Sequence, residues 1–384
     1  MIPYGRQSIS NDDVDAVVKA LRSDFLTQGP QVPAFENALA TYVGARHALA
    51  VNSATSALHL ACLALDLGPG DLLWTSPNSF VASSNCALYC GAQVDFVDID
   101  SRTYNLCPRA LAAKLAQARF NGRLPKVVVP VHFSGQSCDM AAIGQLAQEY
   151  GFKVIEDASH AIGGHWQGRA IGACTHSDIT VFSFHPVKII TTAEGGALTT
   201  NDPVLAARMA DLRSHGITRD ESRMVRKDQG GWYYEQLDLG YNYRMTELQA
   251  ALGLSQMTEL DRFVTTRHAL VARYEAGLAD LPLVLPWQQP DSHSAFHLYV
   301  IQVRDDAPLT RRQLFDSLRA AGIYVNVHYI PIHTQPYYQA LGFEAGRFPQ
   351  AESYYERAIS LPLYAGLSEA DQGFVIAKLR ELLL

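Results

Sequence analysis

The first rhythm along the chain has a period near 3.6: Val14, Val17, Val18 and Leu21 follow the polar start Ser10-Asn11-Asp12-Asp13. That spacing, behind residues able to cap a helix, predicts a helix near residues 11 to 22. From residue 47 the pattern changes to short apolar runs: His47 to Val51, Leu72 to Ser76, Val94 to Val97, Val127 to Val131, Val154 to Ile155, Ile179 to Phe184 and Ala197 to Thr200. Continuous rather than alternating apolarity marks strands buried on both faces. Most gaps between the runs hold a stretch long enough for a crossover helix, as at Ser53 to Leu65, Phe80 to Cys90, Pro108 to Ala118 and Met140 to Tyr150. The alternation predicts an α/β fold with a mostly parallel seven-stranded sheet flanked by helices.

Around Thr246 to Tyr274 the sequence turns helical and charged, which suggests a connecting helix. Beyond about residue 285, the runs His297 to Val303 and Tyr324 to His328 join helices near Arg311 to Ala321 and Glu369 to Leu383 in a smaller α+β C-terminal domain. The expected division is a large domain over 1–250, including the N-terminal segment, and a connecting helix with the small domain over 251–384.

A length of 384 residues fits two such domains. At 48% hydrophobic and 18% charged residues the composition is that of an ordinary globular protein. With 31 Lys and Arg against 38 Asp and Glu, the formal charge is −7, and no basic excess exists to neutralise a phosphate backbone. Nucleic acid is therefore not an expected partner. No stretch offers about 20 uninterrupted apolar residues, and the N-terminus lacks the apolar core of a secretory signal. The reading is a cytoplasmic protein with no membrane partner. Six cysteines lie scattered without a CxxC rhythm, which predicts reduced core residues rather than a zinc site or a disulfide framework, and no metal is expected.

In open α/β folds ligands collect at the carboxyl ends of the strands. After His47 to Val51, the small residues Asn52 to Leu58 open a helix whose N–H groups suit a phosphate, although an ordinary cap explains them too. After Lys153 to Glu156 stands Asp157, placed to pair with a protonated pyridine nitrogen or simply to cap the next helix. Lys188 follows the strand Ile179 to Phe184 and adjoins the stretch Ile189 to Gly196, where a lysine lacks its usual solvated company and a desolvated amine becomes nucleophilic. Phe80 is spaced to stack on a ring, or to serve as core. A lysine, an aspartate and a helix N-terminus are together the set that pyridoxal phosphate requires. No GxGxxG follows a strand and no GxxxxGK[ST] occurs, so dinucleotide and P-loop readings lose their support.

Six ordered segments resemble the DegT-type sugar-nucleotide aminotransferases: Leu26 to Pro30, Asn52 to Leu58, Val154 to Ala161, Ser183 to Lys188, Ala193 to Gly196 and Gly240 to Met245. The resemblance implies an aspartate-aminotransferase-like fold of type I. It implies that Lys188 holds pyridoxal 5'-phosphate covalently, that Asp157 meets the pyridinium nitrogen with His160 nearby, and that Ala54, Thr55 and Ser183 serve the phosphate. It also implies a homodimer in which Asn242 reaches the phosphate of the neighbouring subunit. Within the family, Arg213 to Gly216, Asn242 to Arg244, His297 to Tyr299 and Val327 to Tyr329 are most similar to members that aminate a UDP-linked 4-keto-6-deoxy-N-acetyl hexose with L-glutamate, in pseudaminic acid biosynthesis. Their sugar-nucleotide contacts map onto Tyr4, Phe25, Leu26, Thr27, His328 and Tyr329. The alternatives are an aminotransferase acting on another nucleotide-linked keto sugar, such as a UDP-4-keto-pentose, and a non-catalytic binding protein. Dehydrating relatives resemble this chain with a histidine where Lys188 stands.

Overall fold

A computed structural model describes every residue except Lys227, which falls in the segment 223–236. All seven apolar runs become strands of one sheet, in the spatial order His47–Val51, Gly196–Thr200, Ile179–Ser183, Lys153–Asp157, Val127–Val129, Leu72–Thr75, Gln93–Phe96. Six strands run the same way and Gly196–Thr200 runs against both its neighbours.

Period-2 alternation explains why these runs are apolar throughout. Leu49, Val51, Leu73, Val127, Val129, Ile155, Ile179, Val181 and Leu198 share one core with the helix Ala54–Ala64 and with Cys86 and Ala87 of the helix Ala82–Tyr89. On the other face, Ala50, Phe182 and Ala197 meet Phe35, Leu39 and Val43. Trp74, Val128 and Val154 there pack on Leu111, Leu115 and Ile143. The central strands are covered on both sides, whereas the edge strand Gln93–Phe96 keeps Gln93 exposed and Asp95 half-buried.

The reversed strand has a consequence for the site. Gly196 pairs with both Val51 and Ser183, so the start of this strand lies at the same sheet edge as the carboxyl ends of its neighbours. The loop into Gly196 therefore joins the loops leaving Val51, Thr75, Asp157 and Ser183 at one edge.

The helix expected at 11–22 spans Asn11–Leu21, closed by a capping box between Ser10 and Asp13. The single connecting helix is instead two, Glu247–Met257 and Leu260–Leu278, and residue 250 lies within the first. The C-terminal part builds an antiparallel sheet of Leu283–Val284, Tyr299–Val303 and Ala358–Leu361, covered by the helices Arg311–Ala320 and Glu369–Leu383. The run Tyr324 to His328 is not a continuous strand. Ile323–Tyr324 pairs with Ile2–Pro3, Asn326 makes an isolated antiparallel bridge with Ser360, and Ile2 packs into the C-terminal core. Residues 325–329 then turn toward the sheet edge through a cis His328–Tyr329 peptide bond.

All six cysteines are free, five of them buried and Cys90 half-buried. Among the described residues no helix is long and apolar enough to cross a membrane.

Candidate active site

The sheet edge opens into a cavity of about 530 Å³, within the range of small-molecule sites. Of the residues singled out in the sequence, Tyr4, Ala54, Thr55, Phe80, Asp157, His160, Ser183, Lys188, His328 and Tyr329 all line it. Phe25, Leu26, Thr27 and Asn242 do not; they lie exposed on the surface of the same chain. Asn242 is bridged to Ser214 and accepts from Asn52 Nδ2 through its carbonyl at 3.4 Å.

At one end of the cavity stands the N-terminus of the helix Ala54–Ala64. Ser53 caps it, its Oγ accepting from the Ser56 N–H at 3.1 Å. The Ala54 and Thr55 N–H groups carry no hydrogen bond to protein among the described residues. Two free donors at the positive end of a helix make a site for an anion. Glycine at 196 allows this approach: a Cβ there would stand 2.5 Å from Ala54 N.

Lys188 sits on a loop closed on itself. Phe184 N–H donates to the Gly195 carbonyl at 2.9 Å, Thr192 N–H to the Phe184 carbonyl at 3.0 Å, and Lys188 N–H to the His185 carbonyl at 2.9 Å. The backbone under the amine is thereby fixed. Desolvation lowers the amine to about 8, against the opposing pull of the Asp157 carboxylate.

Asp157 ends the strand Lys153–Asp157 and is 5% exposed. Its Oδ2 accepts from Ser83 Oγ at 2.6 Å and its Oδ1 from the Ser159 N–H at 3.1 Å. No salt bridge to it exists among the described residues. A buried carboxylate without a cationic partner in contact is costly, and a protonated ring nitrogen in the cavity would compensate it.

Three histidines form the opposite wall. His160 Nδ1 accepts the Ser134 N–H at 3.2 Å, which places the ring proton of the neutral form on Nε2, bonded to Tyr329 Oη at 3.0 Å. Burial, with Lys188 and His328 nearby, holds His160 well below the usual histidine range. His297 lies with its ring 4.4 Å from that of His160 and is likewise pushed down, by burial first and then by His160 and Lys188. Burial and Lys188 bring His328 to about 3, and its Nδ1 bonds Ser360 Oγ at 2.7 Å. The wall is polar but uncharged.

Some further residues of the site carry no local signal in the sequence. Ser79 and Ser83 belong to it only because the helix Ala82–Tyr89 packs behind Asp157. Buried His132 bonds Glu156 Oε2 through Nε2 at 2.6 Å and accepts the Cys138 N–H on Nδ1, beneath Asp157. Burial opposes ionisation of Glu156, yet His132 and the hydroxyls of Ser177 and Thr180 hold it below the usual carboxylate range.

The donor set fits pyridoxal phosphate: free helix N–H groups and the Ser183 hydroxyl for a phosphate, an uncompensated carboxylate for a ring nitrogen, and an amine of lowered basicity between them. No group of three or more His, Cys, Asp or Glu among the described residues is arranged to hold a metal ion.

Comparison with known proteins points the same way. The DegT/DnrJ/EryC1/StrS aminotransferase family matches residues 7–380. The Bacillus subtilis spore coat polysaccharide biosynthesis protein SpsC is 41% identical, over 99% of this chain and 97% of its own. The UDP-4-amino-4,6-dideoxy-N-acetyl-beta-L-altrosamine transaminase of Campylobacter jejuni is 37% identical, over 98% and 96%. Among solved structures, an aminotransferase chain from Streptococcus pneumoniae in its PMP form has a TM-score of 0.91 at 29% identity, covering 100% of this chain and 99% of that one. The Helicobacter pylori PseC, an aminotransferase involved in the biosynthesis of pseudoaminic acid, has a TM-score of 0.89 at 31% identity, over 100% and 99%.

Proposed function

The chain belongs to the DegT/DnrJ/EryC1/StrS aminotransferase family, with pyridoxal phosphate as its cofactor, and from that premise we propose that it transfers the amino group of L-glutamate to a UDP-linked 4-keto-6-deoxy-N-acetyl hexose. The products are 2-oxoglutarate and the UDP-linked 4-amino sugar, and the setting is pseudaminic acid biosynthesis in the cytoplasm. One observation carries the reaction class: the Lys188 amine, the Asp157 carboxylate and the free N–H groups of Ala54 and Thr55 face one cavity.

When bound, pyridoxal phosphate supplies an electrophilic carbon and a ring that takes up electrons. Asp157 holds the ring nitrogen in its protonated form. Ala54, Thr55 and Ser183 bind the phosphate, joined by Asn242 of a second copy in a homodimer, and Phe80 stacks on the ring. Lys188 anchors the cofactor. Once freed by the donor, its Nζ would move a proton from the α-carbon of glutamate to the C4′ carbon of the cofactor in the first half of the cycle, and from C4′ to C4 of the sugar in the second, a task suited to an amine lowered to about 8. His160, kept neutral, orients Tyr329 through its Nε2 proton. Tyr4, Phe25, Leu26, Thr27, His328 and Tyr329 bind the sugar nucleotide. An exposed position for Phe25, Leu26, Thr27 and Asn242 suits residues that complete the cavity of a neighbouring subunit.

The SpsC relative, more similar than the altrosamine transaminase, favours a second reading: amination of a different nucleotide-linked keto sugar destined for a surface polysaccharide. Absorbance of the holoenzyme separates them. Glutamate should bleach the band of the bound pyridoxal form, and the 4-keto-6-deoxy-N-acetyl hexose alone among UDP-keto sugars should restore it. Restoration by another keto sugar transfers the conclusion to the second reading, and a band that glutamate leaves untouched contradicts both.

A further inference from the structure

Behind Asp157 lies a chain of hydroxyls that the transamination chemistry above does not use. Ser83 Oγ stands 2.6 Å from Asp157 Oδ2, and Ser79 Oγ stands 2.7 Å from Ser83 Oγ. All three side chains are buried, Ser83 completely. We propose that Ser83, ordered by Ser79, is a positioning residue that presents Asp157 to the cofactor ring as a fixed hydrogen-bond acceptor. The inference rests on the reading of this cavity as a pyridoxal phosphate site.

The direction of the relay is set by its protons. A carboxylate only accepts, so Ser83 gives its single proton to Oδ2, and its contact with Ser79 is then one in which Ser79 donates. With Asp157 accepting, every proton of the relay has an acceptor within the protein. A proton on Oδ2 facing Ser83 would instead turn the Ser83 proton onto Ser79, and the Ser79 proton would need an acceptor from the cavity, because among the described residues Ser79 Oγ has no partner but Ser83. The protein itself thus completes the relay in the direction in which Asp157 accepts. Its second oxygen is held by the Ser159 N–H, so donors fix both oxygens and only the cavity side stays open.

The helix that carries Ser83 is itself anchored on its other side. Ser84 Oγ meets Tyr338 Oη at 2.5 Å and Tyr338 donates to Asn85 Oδ1 at 2.6 Å, while the helix begins at Val81 without a side-chain cap. Held between Tyr338 and Asp157, the helix has little freedom to carry Ser83 away. Hydrogen bonds to charged groups are stronger than neutral ones, which makes the Ser83 contact the dominant member of the relay.

The test uses full-length protein freed of cofactor and titrated with pyridoxal phosphate. Ser83→Ala should weaken cofactor binding by roughly tenfold to a hundredfold, the loss of one charge-assisted bond. It should also alter the visible band and lower kcat more than it raises KM for glutamate, and Ser83→Thr should restore all three. Ser79→Ala, which keeps the direct bond, should weaken binding by about fivefold and serves as the second variant should Ser83→Ala not fold. Wild-type affinity and band shape in Ser83→Ala, or in Ser79→Ala where it alone folds, overturn the proposal. If the wild-type protein takes up no pyridoxal phosphate, the functional reading itself fails, and the relay with it.

Discussion

Lys188 should behave as a reactive amine even without cofactor. Burial brings it from 10.5 to about 8, with Asp157 pulling the other way. At pH 7.5 an ordinary lysine is neutral in about one molecule in a thousand, whereas an amine at about 8 is neutral in about a quarter of them. The gain in neutral amine is a few hundredfold. Competitive labelling of the cofactor-free protein with trace acetic anhydride, from about pH 6 to about pH 11, followed by peptide mass spectrometry, reads this directly. The Lys188 peptide should show a midpoint near 8 while surface lysines titrate together near 10. Because the Asp157 carboxylate is the one group that raises the amine, Asp157→Asn should move the midpoint still lower. A midpoint at the ordinary lysine value, or an upward move in Asp157→Asn, would refute the idea that desolvation prepares this amine.

Cys90 should be the first thiol alkylated by iodoacetamide at neutral pH, with a midpoint below that of an ordinary thiol, because the neighbouring Cys62 and His59 outweigh its desolvation; a midpoint at or above the ordinary thiol value would contradict this. Glu247→Ala should destabilise the protein by about 1–3 kcal/mol in urea titration, since this buried carboxylate accepts from Gln31 N–H at 2.6 Å at a helix start that lacks a side-chain cap of its own; an unchanged midpoint would show that water replaces it. Gly196→Ala should weaken binding of pyridoxal phosphate far more than binding of phosphate-free pyridoxal, because the added Cβ stands 2.5 Å from Ala54 N; equal losses for the two would place the damage elsewhere.

The parts of the fold legible in the sequence are those with local causes. Strands covered on both faces are dominated by apolar residues rather than alternating, so Val127–Val129 and the run through Ile179, Val181 and Phe182 announce themselves. Capping serines and threonines mark the starts at Ser10, Ser53 and Thr310. The helix Gln31–Val43 goes unseen because its start has no side-chain cap of its own, and Glu247, far along the chain, supplies the acceptor. The run Tyr324 to His328 has the apolar content of a strand but lacks a partner for most of its length, and pairing is a tertiary fact. In the site, Asp157 is visible because it ends a strand at the edge where ligands collect, and Lys188 because it stands in the loop that leaves one. Ser79, Ser83 and His132 are not, since buried hydroxyls and imidazoles acquire a role only from the groups packed against them.

The central claim is that Lys188 carries the cofactor, and borohydride reduction of the holoenzyme tests it most directly. Reduction should fix pyridoxal phosphate irreversibly to one peptide, and fragmentation should locate the added mass on Lys188, with none in Lys188→Ala reduced in parallel. The adduct on another lysine, or no adduct on protein that has taken up cofactor, would contradict the account.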